Sequence, residues 1–132
     1  MNLNPGWILA AAVAGGLSVA AGALGSHAAE DTRTAALLGT AAQYGVVHAA
    51  ALLGAAAIGG RINGFPERLL SLAAWLFIAG LILFSGGIAL YALTGFTPLV
   101  HIVPFGGSAY ILGWASLGAC AVKLLRAKAP PP

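Results

Sequence analysis

"AALLGTAAQYGVVHAAALLGAAAIGG", residues 35–60, carries no charged side chain, and its polar exceptions are Thr40, Gln43, Tyr44 and His48. At about 1.5 Å rise per residue a helix of this length covers roughly 39 Å, more than the ~30 Å of hydrocarbon in a bilayer. A soluble chain so poor in charge could not cover its surface, and this stretch has no charge to offer. The run therefore reads as a membrane-spanning helix.

Three further uncharged stretches repeat the signal at residues 7–26, 69–94 and 102–122. Asn4 is placed to cap the first, with Pro5 at its first helical position. The intervening segments, "HAAEDTRT" (27–34), "RINGFPER" (61–68) and "GFTPLVH" (95–101), are rich in Gly, Pro, Asn or charge and read as turns. Short connections make successive helices antiparallel neighbours. The expected fold is all-α, an integral membrane four-helix antiparallel bundle forming a single domain over residues 1–126. The Pro-rich tail, 127–132, is expected to be disordered. The first span holds little apolar area beyond Ala and Gly, so shielding by the other three is expected. Because "MNLNPGW" lacks Lys and Arg and the apolar run exceeds a typical signal core, the span is read as retained, not cleaved.

Composition agrees. The chain is 60% hydrophobic and 7% charged with a mean hydropathy of +0.94, whereas soluble domains carry about 25% charge. Its net charge of +3 is too small and too scattered to suggest a nucleic-acid partner. The expected partner is the lipid bilayer, joined by further copies of the chain or by a larger membrane complex. The single Cys120 excludes an intramolecular disulfide and any multi-cysteine metal site. Arg61, Arg68, Lys123, Arg126 and Lys128 fall on one side of a four-span topology and only Arg33 on the other. By the positive-inside rule both termini are expected in the cytoplasm, with the protein in the inner membrane.

Small residues recur every fourth position along the first span (Ala10, Ala14, Ser18, Gly22, Ser26) and the second (Ala41, Gly45, Ala49). In lipid, close backbone approach and interhelical hydrogen bonds hold helices together, so these strips read as packing seams. Thr40, Tyr44 and His48 have the same spacing and form a polar stripe. His48 lies about 20 Å from the outer boundary, where a lipid-facing polar group costs several kcal/mol. The stripe is expected to face the bundle, with Ser18 and Ser85 near Tyr44, Trp114 and Ser116 near His48, and the imidazole against Gly80. The favoured role is a neutral hydrogen-bonded histidine that fixes helix register. A proton, quinone or substrate contact stays open, since intramembrane ionisable residues are functional suspects by default. His27, Glu30, Asp31 and His101 at the outer face form a second candidate group, but their spacing is unspecific for metal, and no metal or other cofactor is expected. "GFTPLVHIVPFGG" (95–107) reads either as a partly re-entrant segment or, preferably, as a helix start with Pro104 in its first turn.

The motifs also resemble a known family. "GALGSH" (22–27), "TAAQYGVVHAAAL" (40–52), "FSGGIALYALTG" (84–95), "PFGG" (104–107) and "GW" (113–114) occur in the order found in domain-of-unknown-function family 423. That family of small bacterial membrane proteins is related to the eukaryotic transmembrane protein 256 family. The likeness extends from about Gly15 to Trp114. It departs from the family pattern at Leu24, Ser26 and Val103, the last removing a hydroxyl. The resemblance implies four membrane helices and no assigned chemistry, and it directs attention to His27, Tyr44 and His48. No nucleotide-binding, zinc-protease or serine-nucleophile pattern points to an enzyme. The expectation is a non-enzymatic structural or accessory protein. The alternatives are a small transporter with Tyr44 and His48 in a polar cavity, or a subunit of a redox complex touching quinone or metal.

Overall fold

A computed structural model describes residues 4–128, and all the regular elements there are helical. Helix α1 is Pro5–His27, α2 Thr32–Gly59, α3 Phe65–Thr94 and α4 Val103–Lys128. A 3₁₀ turn, Thr97–His101, joins α3 to α4. All four helices are long and apolar enough to cross a membrane. The chain is an all-α integral membrane four-helix bundle. The last four residues of the Pro-rich tail, 129–132, lie outside the described residues.

Local chemistry sets the helix ends. Asn4 Oδ1 accepts from the Gly6 and Trp7 amides at 3.1 and 3.3 Å, with Pro5 supplying the preset φ of a first helical residue. Asp31 caps α2 through the Thr34 amide and hydroxyl, at 2.9 and 2.7 Å. α3 ends where Gly95 takes the left-handed conformation (φ 68°) and its amide returns to the Tyr91 carbonyl at 2.8 Å. Pro104 sits in the first turn of α4, so this segment is an ordinary helix start and not re-entrant. α4 continues beyond residue 122 to Lys128, with Arg126 and Lys128 in its last turn, where cations suit the helix dipole.

Two seams organise the bundle. Along α1 and α2, Gly15 faces Ala49, Ser18 faces Gly45, Gly22 faces Ala42 and Gly25 faces Leu38, so the two backbones approach closely. Along α3 and α4, Phe77 enters the notch at Gly113, Tyr110 the notch at Gly80, and Gly106 lies against the Phe84 backbone. Each turn down one helix matches a turn up the other, as antiparallel packing requires. The core between the seams contains Leu52, Leu70, Ala73, Ala74 and Phe77, all fully buried.

The first span is not shielded by the other three. Only Trp7, Ala11, Ser18 and Ala21 of α1 are buried, and Leu9, Val13, Leu17 and Val19 are exposed. The reason lies in the small residues themselves: they let α1 pack tightly on one neighbour, α2, which leaves its remaining faces to lipid. Sequence hydropathy does not separate a lipid-facing apolar residue from a protein-facing one.

α3 also contains an irregularity. Residues Leu81–Gly86 form a π-helical turn, and the Gly87 amide reaches the Ile82 carbonyl five residues back. This wide turn sits where Gly106 of α4 presses on the α3 backbone at Phe84.

Candidate functional site

His48 lies 16 residues into α2, about 24 Å from its N-terminal end and about 16 Å from Gly59, near the middle of a helix long enough to cross a membrane. It is only 5% exposed. Its Nδ1 is 2.7 Å from the Tyr44 carbonyl oxygen, one turn earlier on the same helix. A carbonyl only accepts, so Nδ1 bears the proton. Its Nε2 is 3.1 Å from the Trp114 indole Nε1, a group that only donates. The two contacts together fix one tautomer, a neutral imidazole with Nδ1–H and an accepting Nε2. Both ring nitrogens are satisfied, one within α2 and one across to α4.

Aromatic rings enclose this pair. The Tyr110 ring stacks on the imidazole at 3.5 Å between centroids with 15° between planes. Phe77 tilts against it at 5.6 Å and the Trp114 ring lies edge-on at 6.0 Å. The Tyr110 hydroxyl meets Ser85 Oγ of the π turn at 2.9 Å, and both residues are buried. Ser18, also buried, donates to the Ala14 carbonyl at 2.7 Å, and its side chain fills the space beside Gly45. Ser85, Tyr110, His48 and Trp114 are thus linked by bonds and ring stacking, while Ser18 and Ser85 both lie beside Gly45 without a bond between them.

The expected stripe is partly rearranged. Tyr44 and His48 belong to one ring assembly with parallel planes, 6.2 Å apart, and Tyr44 also packs on Phe84 at 4.9 Å. Tyr44 is 44% exposed, so its ring borders lipid instead of being enclosed. Thr40 leaves the stripe: it is half-buried, and its hydroxyl bonds back to the Ala36 carbonyl of its own helix at 2.9 Å. A threonine hydroxyl can satisfy itself locally in this way, which a histidine ring cannot do at both nitrogens. The Gly80 notch receives Tyr110, not the imidazole, because Gly80 and Tyr110 are level in the α3–α4 register. His48 stacks on that tyrosine ring. Trp114 reaches His48, whereas Ser116 takes no part in the bonds to its ring. Tyr110 escaped the sequence reading, although Tyr110 and Trp114 repeat on α4 the four-residue spacing of Tyr44 and His48 on α2.

The residues of the α1–α2 and α3–α4 turns are disposed differently. His27 ends α1 and His101 lies in the 3₁₀ turn, both exposed. Glu30 is exposed in the connecting turn, and Asp31 is engaged as the α2 cap. The Thr34 hydroxyl, followed by the Thr34 amide, holds the Asp31 carboxyl below the usual carboxylate range. Among the described residues no three His, Cys, Asp or Glu side chains gather at a point. Nearby, the Arg33 guanidinium donates to the Tyr91 hydroxyl at 3.1 Å and ties the start of α2 to the end of α3.

Comparison with known proteins places this arrangement among relatives. Residues 21–107 match the family described as "Protein of unknown function (DUF423)". The UPF0382 membrane protein YwdK of Bacillus subtilis is 32% identical over 122 residues, covering 90% of this chain and 98% of the relative. The UPF0382 inner membrane protein YgdD of Escherichia coli K12 is 32% identical over 125 residues, covering 90% and 91%. A UPF0382 membrane protein of Staphylococcus aureus is 35% identical over 104 residues, covering 76% and 82%. No solved structure matches the chain.

Proposed function

The chain belongs to the DUF423 family of membrane proteins, and we propose that it is a non-enzymatic structural or accessory component of the inner membrane. It packs there with itself or with a larger membrane complex, and its central polar cluster holds the helices in register. One observation carries this reading: both nitrogens of the mid-bilayer histidine are already bonded, one to a backbone carbonyl and the other to an indole that cannot accept a proton. A relay histidine needs one nitrogen free to pick a proton up and release it. The name of the Escherichia coli relative supports the inner-membrane location. The excess of Lys and Arg at the α2–α3 turn and the end of α4 supports cytoplasmic termini.

Two measurements test the proposal. In proteoliposomes, His48→Ala lowers the thermal stability of the protein and leaves proton and solute flux at the level of the wild type. A folded His48→Ala protein that has lost a flux present in the wild type contradicts the structural role. Reporter fusions at either terminus are active only in the cytoplasm; periplasmic activity overturns the orientation.

A further inference from the structure

α1 and α3 run parallel on the same flank of α2 but do not close on each other. Between them lies a lipid-facing groove of about 590 Å³, within the roughly 300–1,000 Å³ range of small-ligand sites. Leu9, Val13 and Leu17 form one wall and Ile78, Ile82 and Leu90 the other. Along α1 the groove follows residues 6–18, about 18 Å of helix. Its only polar side chains are Ser18 and Ser85, which are 6% and 7% exposed. Four of its lining residues come from the π-helical turn of α3, and such turns concentrate at functional sites.

The hydroxyl chemistry selects the occupant. Ser18 gives its proton to the Ala14 carbonyl. Ser85 shares a hydrogen bond with the Tyr110 phenol, and when the phenol donates, the Ser85 proton is available to the groove. In that arrangement the groove offers a neutral donor deep between the helices and no charge. A phospholipid tail has nothing to accept that bond, because its ester carbonyls lie at the boundary about 15 Å away. A lipid-soluble molecule with a carbonyl on a compact head and a long apolar tail satisfies both parts. We propose that the α1–α3 groove binds a membrane quinone, with a head carbonyl accepting from Ser85 and the tail lying along α1 between Leu9 and Leu17. This goes beyond the structural role of the His48 cluster and does not depend on it.

The test uses the full chain in phosphatidylcholine nanodiscs, with decylubiquinone as probe and decylbenzene as a carbonyl-free control carrying the same tail. Decylubiquinone is expected to raise the melting temperature saturably and decylbenzene to leave it unchanged. Ser85→Ala weakens the apparent affinity about tenfold, the usual effect of one lost hydrogen bond. Val13→Trp fills the groove from its exposed wall, leaves the unliganded melting temperature near that of the wild type and abolishes the response. A linear, unsaturable response to decylubiquinone overturns the proposal. So does an equal response to decylbenzene, or a wild-type response in Val13→Trp.

Discussion

The α1–α2 seam and the α3–α4 seam both rely on glycine, but they use it in opposite ways. Along α1–α2 small residues meet small residues except where Gly25 faces Leu38, and what is gained is close backbone approach. Along α3–α4 two glycines are sockets for rings, Gly80 for Tyr110 and Gly113 for Phe77, while Gly106 lets the backbones meet at Phe84. A flat strip tolerates small slides and rotations, whereas a ring in a socket does not. The second seam also carries the partners of His48, so the polar cluster inherits its precision from ring packing.

That contrast fixes an order of mutational effects. Gly80→Ala is the most damaging, because the new methyl overlaps the Tyr110 ring, and that ring is held between the imidazole and Ser85. A loss of about 2 kcal/mol is expected, typical of overpacking a close-fitted interior, read by unfolding in mixed micelles. Next comes Trp114→Phe, which keeps an aromatic ring but leaves His48 Nε2 unbonded. It is expected to cost about 0.6–1.7 kcal/mol, the range for interhelical hydrogen bonds in membranes.

Gly45→Ala sharpens the comparison. Its methyl meets chiefly the Ser18 hydroxyl, the end of a side chain that can turn aside. It is expected to destabilise by about 1 kcal/mol, at the low end for overpacking. Adding Ser18→Ala should restore most of the loss. No such rescue is available at Gly80, and a rescuable Gly80→Ala would erase the distinction between the seams. Gly16→Ala, on the lipid-facing side of α1 with open space around it, should be neutral or stabilising by less than about 1 kcal/mol.

The smallest effect belongs to the α1–α2 turn. Hydrogen bonds from Thr34 lower the Asp31 carboxyl pKa in the folded protein, so the cap contributes stability that is fully present above the unfolded value near 3.8. That contribution fades as pH falls through the lower folded value. Asp31→Asn should leave stability at neutral pH nearly unchanged and flatten this acid-side slope, measurable by melting curves between neutral and acidic pH.

Fold and site were legible to different depths. Absence of charge over 26 residues at 35–60 identifies a membrane helix whatever surrounds it, so the four spans could be read directly. The inward position of His48 and its reach to Trp114 followed from helical spacing and depth. The occupant of Gly80, the π turn at Leu81–Gly86 and the lipid exposure of α1 did not, because each depends on how neighbouring helices rotate about their axes. Hydropathy carries no information about that rotation. Thr40 shows the same gap, since spacing assigns a side to a hydroxyl but not its bonding partner.

On the proposed reading His48 is a dry, neutral lock between α2 and α4. Nitrogen-15 NMR of the imidazole in lipid bilayers at neutral pH tests it most directly. A single tautomer is expected, protonated at Nδ1, with Nε2 unprotonated and coupled to the Trp114 indole proton. An Nε2-protonated or doubly protonated ring that exchanges protons with bulk water would contradict it.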